Sequence, residues 1–102
     1  MAVNRYLCSE LITIARPQGK AIVNLEEIWE TGAFFEAESA IDPGETIDLL
    51  AREKVFRGQV KNVEHHEFGW RVEMEFSPPV RWTVDDFRPQ HMLDPKTVRG
   101  TP

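Results

Sequence analysis

Polar and apolar residues alternate most regularly in the second half of the chain. In the segment Trp70 to Phe76, every second residue is apolar and every residue between them is charged. A period of two is typical of a β-strand with one face buried and the other in water. The predicted partner strand is Val55 to Glu64, and its alternation slips between Val60 and Val63. The slip predicts a β-bulge or a bend in a barrel.

Four further segments of strand length precede this pair and are separated by turn residues. The pattern predicts one hairpin from 9–15 and 20–28, and another from 33–38 and 45–50. The turns Pro17-Gln18-Gly19 and Asp42-Pro43-Gly44 suit such connections, because proline presets its own φ and glycine accepts a positive φ. Six strands in a small chain predict an antiparallel β-barrel, since closing the sheet removes its exposed edges.

The strand pattern ends after Pro79. Thr83 followed by Asp85 and Asp86 is typical of a helix start, with a capping hydroxyl and acids near the positive end of the helix dipole. Pro89 and Pro95 limit that C-terminal helix to one or two turns. The segment also carries apolar residues that we expect to plug an open side of the barrel: Trp82, Phe87, Met92 and Leu93. We expect residues 97–102 to form a disordered tail.

Composition supports one domain spanning residues 1–102. Hydrophobic residues make up 41% of the 102 residues, which is enough for a core. The net charge is −5, and residues 21–53 hold nine acids against the single base Arg52. This balance argues against a DNA-binding surface. No apolar run is long enough to insert into a membrane, and the first residues lack the pattern of a signal peptide. With one cysteine, Cys8, and hence no internal disulfide, we expect a cytoplasmic protein.

Catalytic and metal-binding patterns are not apparent in the sequence. A glycine-rich phosphate loop, a nucleophile elbow and a His-Glu-x-x-His pattern are all missing, so we expect no enzyme activity and no cofactor. His65 and His66 fall in a predicted hairpin turn, and neighbours on an extended chain point to opposite faces, which disfavours a shared metal site. Nothing near Cys8 in sequence lowers a thiol pKa, so it is predicted to be structural.

Three segments together resemble one protein family. Residues 24–35, Asn-Leu-Glu-Glu-Ile-Trp-Glu-Thr-Gly-Ala-Phe-Phe, are similar to the (Asp/Asn)-x-Ser-x-x-Gly motif and following short strand of the PilZ domain. Residues 56–60 are similar to its Gly-x-Val strand, and residues 68–76 to its last long strand. The resemblance covers about residues 5–93. It implies a six-stranded antiparallel barrel with a C-terminal helix, and a bacterial signalling module that often binds cyclic di-GMP.

The resemblance also implies which positions would bind that ligand, and several of them are changed. In the second motif Glu27 stands at the Asp/Asn position and Trp29 at the Ser position, while Gly32 is kept. In the N-terminal Arg-x-x-x-Arg motif, Arg5 is the one arginine: either Ser9 stands at the second position or Met1 at the first. Each lost charge-assisted hydrogen bond costs about 1.5–3 kcal/mol. We therefore expect weak or no binding of cyclic di-GMP.

The resulting expectation is a non-catalytic signalling or adaptor domain that acts through contacts with a protein partner. The resemblance implies this role, because motif-poor PilZ relatives are thought to work in that way. An alternative is a cyclic di-GMP receptor with a rearranged site, in which Arg5, Arg16, Glu27 and Trp29 replace the missing groups. A third possibility, single-stranded nucleic-acid binding on a small barrel, is opposed by the negative charge.

Aromatic residues at the motif leave two questions to the structure. Trp29 would anchor a ligand or partner if exposed, but a tryptophan in a small domain more often serves packing, here across the barrel mouth. Phe34 and Phe35 point in opposite directions on a strand, so one of them is expected outside the barrel. Arg5 is expected to be solvated or paired with a nearby acid unless it retains a phosphate contact.

Overall fold

The computed structural model describes residues 4–93, which form six antiparallel strands. The strands are β1 (Tyr6–Arg16), β2 (Gly19–Trp29), β3 (Gly32–Ala37), β4 (Thr46–Ala51), β5 (Lys54–His66) and β6 (Gly69–Phe76). They close into a barrel in the order β1-β2-β3-β6-β5-β4. The predicted antiparallel barrel is thus confirmed. No helix among the described residues is long and apolar enough to cross a membrane.

β5 and β6 form the antiparallel pair that their alternating sequence pattern predicts. Val72, Met74 and Phe76 of β6 are buried in the core, and the charged residues between them lie on the outer face. The register between β5 and β6 shifts between Val60 and Asn62. The slip in the sequence pattern therefore marks a real irregularity, beyond which the partly buried Val63 packs against the core.

The hairpin predicted from the third and fourth strands is wrong. β3 pairs with β2 and β6, whereas β4 pairs with β1 and β5. Because both edges of β3 are occupied, the eight residues 38–45 carry the chain to the other side of the barrel instead of folding back. Ile41 in this connection is buried against the core. Gly44 has φ 87°, so the expected turn is present but serves a crossing connection.

The interior of the barrel is filled by apolar side chains from all six strands. The largest fully buried ones are Phe35, Ile14, Leu25, Ile28, Ile47, Leu49, Met74 and Val72. No polar or charged residue among the described ones is buried. The interior is therefore a packed core, and polar chemistry lies on the outer surface and at the barrel ends.

The segment after β6 covers one end of the barrel without forming a helix in the described residues. Thr83 begins a single turn, in which the amide of Asp86 donates to the carbonyl oxygen of Thr83 at 3.0 Å. The turn does not continue, since the Phe87 carbonyl accepts a hydrogen bond from the Trp82 indole at 2.8 Å and Pro89 follows. Residues 94–102, which include Pro95 and the predicted tail, lie outside the described residues.

The predicted plug is formed by some of its expected members. Trp82 and Phe87 are buried, and Tyr6 meets Trp82 edge-on with ring centroids 5.6 Å apart. Leu93, however, is 52% exposed, and its backbone forms a bridge of two hydrogen bonds with Leu7. The bridge fixes the end of the described chain beside the start of β1.

Candidate functional site

The segment that resembles the second PilZ motif lies where β2 turns into β3. Ile28 and Ala33 form a cross-strand pair and are fully buried in the core. Since side chains alternate along a strand, the residues beside them face outward. The outer face at this point therefore carries Glu27, Trp29, Gly32 and Phe34.

Trp29 is a packing residue on this outer face. Its side chain is only 5% exposed, yet it does not belong to the core cluster. Its ring lies 5.5 Å from that of Phe34, and a Cβ at Gly32 would stand 2.9 Å from the indole. The expectation that Trp29 packs is confirmed, but it packs outside the barrel and not across the mouth. Only glycine fits at position 32, because a Cβ there would crowd the indole and would also lie 2.5 Å from the Met74 carbonyl oxygen.

Arg5 covers the exposed side of Trp29. Its guanidinium carbon lies 4.0 Å from the centre of the indole, in the position of a cation–π contact. One guanidinium nitrogen is 3.9 Å from a carboxylate oxygen of Glu27. The structure thus brings together four of the five predicted site residues, and Arg5 both stacks on and pairs with its neighbours.

Arg71 completes the cluster from β6. Its guanidinium carbon lies 4.1 Å above the ring of Phe34, and its nitrogens lie 3.7 Å from carboxylate oxygens of Glu26 and Glu27. Within residues 4–93, Arg71 Nε is the one buried side-chain polar atom without a hydrogen-bond partner. The sequence places Arg71 on the outer face of its strand, but finding its contact with Phe34 requires knowing that β6 lies beside β3.

Carboxylates balance the two guanidinium groups. Burial raises the pKa of Glu26, and the negative charge of Glu36 raises it further. Glu36 in turn lies 2.8 Å from Nε2 of His66. Six residues form what we call the outer-face cluster: Arg5, Glu26, Glu27, Trp29, Phe34 and Arg71. Because Arg5 and Arg71 pair with Glu26 and Glu27, and Glu36 lies nearby, the outer-face cluster offers no net positive charge to a phosphate group.

Two residues considered for ligand binding lie outside this cluster. The hydroxyl of Ser9, at a register shift in β1, lies 3.4 Å from the side-chain oxygen of Asn24. Arg16 is at the far end of β1, roughly 35 Å along the strand from Arg5. It donates two hydrogen bonds to Glu45 at 2.7 and 3.1 Å, and these lower the pKa of that carboxyl. The prediction that Arg16 takes part in a rearranged ligand site is therefore wrong.

The cysteine and the paired histidines have local structural contacts. Cys8 is partly buried, and burial, together with the charge of Glu10, raises its pKa to about 12. Such a thiol stays protonated at neutral pH. His65 stacks on Trp70 with ring centroids 4.7 Å apart, whereas His66 faces Glu36, so the two rings point in different directions. No group of three or more potential metal ligands is found in the part of the chain that the structure describes.

Comparisons with known proteins do not assign the chain to a family. No protein-family model matches the sequence, and no curated protein matches it. The barrel and the contacts on its outer face are therefore the observations from which a function can be argued.

Proposed function

We propose that this chain is a non-catalytic signalling or adaptor domain of PilZ type. It binds cyclic di-GMP weakly or not at all, and acts in the bacterial cytoplasm through contacts with a protein partner. The six-stranded antiparallel barrel and the position of residues 24–35 at a β2–β3 turn support the family part of this proposal. The contacts of Trp29 support the part that concerns the ligand.

The observation that carries the proposal is that Arg5 already occupies the face of Trp29. A nucleobase could stack on the indole only after displacing a guanidinium 4.0 Å from its centre. Displacement would give up a cation–π contact worth about 0.5–1 kcal/mol at an exposed position. A phosphate arriving beside Arg5 would also face the carboxylate of Glu27. Arg5 is thus already paired and stacked within the cluster.

The missing arginine adds to this cost. The resemblance assigns two guanidinium groups to the N-terminal motif, and this chain supplies one, Arg5. Two lost or compromised charge-assisted contacts together cost about 3–5 kcal/mol. Such a loss converts a micromolar dissociation constant into one near the millimolar range or weaker. A ligand bound so weakly would leave the site mostly empty.

A receptor with a rearranged site remains the second candidate, and one observation favours it. Arg5 and Arg71 flank the aromatic pair Trp29 and Phe34, and Arg71 Nε lacks a hydrogen-bond partner within residues 4–93. Two guanidinium groups beside aromatic rings are suited to phosphates and to purine faces. In this candidate Arg71, not Arg16, supplies the second cation.

Isothermal titration calorimetry with cyclic di-GMP separates the two candidates. We expect no saturation, or a dissociation constant near the millimolar range. A micromolar constant would overturn the proposal in favour of the receptor. In that event, Arg5→Ala and Arg71→Ala should each weaken binding at least about tenfold, whereas the matched control Arg81→Ala, an exposed arginine that pairs with Glu30, should leave it unchanged.

A further inference from the structure

A groove on the outer surface is lined by apolar side chains that nothing in the described chain covers. It has a volume of about 620 Å³ and lies against β1, β2 and the end of β3. Leu11 is 72% exposed, Ile22 67% and Phe68 84%. Val23 and Ile41, which are buried in the core, also line it. The volume is in the range of sites that hold a drug-sized ligand or a few side chains.

The barrel itself places these three residues together. Leu11 is opposite Asn24 and Thr13 is opposite Ile22, so Leu11 and Ile22 are diagonal neighbours on the outer face. Phe68 comes from the turn between β5 and β6. The next residue, Gly69, packs so closely on the end of β3 that a Cβ there would stand 2.5 Å from the Ala37 carbonyl oxygen. The turn is thereby held beside the groove.

Three large exposed apolar residues in one concavity indicate a contact surface. Single exposed apolar residues are common and need no explanation, but clusters of them mark interaction sites. The other large apolar residues that are exposed in the described chain do not line this groove: Leu7, Val55, Val84 and Leu93. The grouping at the groove is therefore the informative feature.

The charges that line the groove favour a basic partner. Its charged residues are Arg16, Glu36 and Glu38. Arg16 donates two hydrogen bonds to the carboxylate of Glu45, which neutralises its charge, and a third to the carbonyl oxygen of Ala40. The remaining carboxylates would attract lysine or arginine beside an apolar stripe. A second copy of the chain would bring the same acidic lining and be repelled, and an anionic membrane would be repelled for the same reason.

The closed barrel limits the backbone form of the partner. The strands form a closed barrel in which β2 lacks a β3 partner only at residues 19–23, next to its hairpin with β1, so a long extended peptide finds little sheet edge to join. A long docking segment must therefore satisfy most of its backbone hydrogen bonds within itself, as a helix does. A helix also places apolar side chains one turn apart on one face, which is the usual way of filling a groove.

We propose that the groove bounded by Leu11, Ile22 and Phe68 binds an amphipathic helix of a partner protein, whose apolar stripe is flanked by lysine or arginine. The inference rests on the proposed adaptor function and names the chemistry of its partner. The helix would bury the three side chains and place its cations near Glu36 and Glu38.

The test is a titration of the ¹⁵N-labelled protein with designed peptides, followed by amide chemical shifts. The probe is a helical peptide of leucine and lysine about five turns long, compared with one that carries glutamate in place of each lysine. We expect the lysine peptide to shift amides around Leu11, Ile22 and Phe68. Ile22→Ser and Phe68→Ser should weaken binding at least about tenfold. The matched control Val55→Ser, another exposed apolar residue on a strand, should bind as the native chain does.

Several results would overturn the inference. These are shifts spread over the acidic surface, equal binding of the glutamate peptide, or equal binding by Ile22→Ser. A dimer seen by sedimentation that Ile22→Ser disrupts would assign the groove to a second copy, and Ile22-dependent binding to anionic vesicles would assign it to a membrane. Absent groove shifts with no nucleotide binding overturn the groove inference alone, whereas micromolar nucleotide binding overturns the adaptor function whatever the peptide does.

Discussion

The outer-face cluster and the groove are both built from aromatic and aliphatic side chains on the outside of one barrel, yet they differ in what covers them. In the cluster, Trp29 is 5% exposed because Arg5 stacks on it and Phe34 packs beside it. In the groove, Phe68 is 84% exposed. An aromatic ring that already has partners stabilises the folded chain, whereas a ring in contact with water gains its apolar contacts only when something binds.

This difference in exposure indicates where a partner would bind. The segment with the family resemblance has little free surface, because Glu27 and Trp29 both contact Arg5. Glu36 connects the two regions: its charge contributes to the raised pKa of Glu26 in the cluster, and its side chain lines the groove. We therefore expect a partner to bind beside the motif and not at it.

The largest effect that separates the two regions is expected from removing one aromatic ring in each. Trp29→Ala should lower the free energy of unfolding by about 3–5 kcal/mol, since it deletes a buried ring. Phe68→Ala should change it by at most about 0.5 kcal/mol, because the ring is in water. Urea unfolding followed by circular dichroism measures both. Equal losses in the two variants would contradict the distinction between a packed cluster and an open groove.

A smaller effect is expected at the ion pair that neutralises the groove's arginine. The Arg16 guanidinium lowers the pKa of Glu45 below its ordinary 4.5, so the pair stabilises the fold above that pH. This stabilisation is lost as the pH falls through the lower folded-state pKa. Glu45→Gln should therefore cost about 1–2 kcal/mol at pH 7.

Denaturation of the native chain and of Glu45→Gln across the acid range checks the sign. The difference between the two proteins should shrink as the pH falls. A difference that is independent of pH would show that the carboxylate charge is not what Arg16 needs. The variant also leaves Arg16 unneutralised beside the groove, so it should weaken binding of the lysine peptide, and unchanged affinity would argue against an electrostatic part in docking.

The smallest effect is expected from the cation on Trp29. Arg5→Ala should lower the free energy of unfolding by about 0.5–1 kcal/mol, which is typical of an exposed cation–π contact. Arg5→Lys keeps the charge but loses the planar stacking, so it should retain only part of this contribution. Urea unfolding of both variants beside the native chain provides the measurement. A loss of several kcal/mol would mean that Arg5 is a structural residue and not a cover.

Part of the candidate site could be predicted and part could not, for reasons visible in particular residues. The motif positions put Glu27, Trp29 and Gly32 within one turn, and the start of β1 brings Arg5 to them. The part that Arg71 plays could not be predicted from the sequence, because its contact with Phe34 depends on β6 lying beside β3. The sequence predicts a turn at Asp42-Pro43-Gly44, but it does not show which strand the chain pairs with after that turn.

The sequence is enough to predict the local geometry of the chain. It predicts which segments are strands, which of their faces point inward, and where β5 is irregular. These follow from alternation and turn chemistry, which act between residues close in the chain. Only the closed barrel explains why β3 and β4 are separated, why the turn at Thr83 does not continue into a helix and why Arg16 pairs with Glu45. Those outcomes depend on closing the barrel, in which distant segments compete for the same strand edges and the same space around one core.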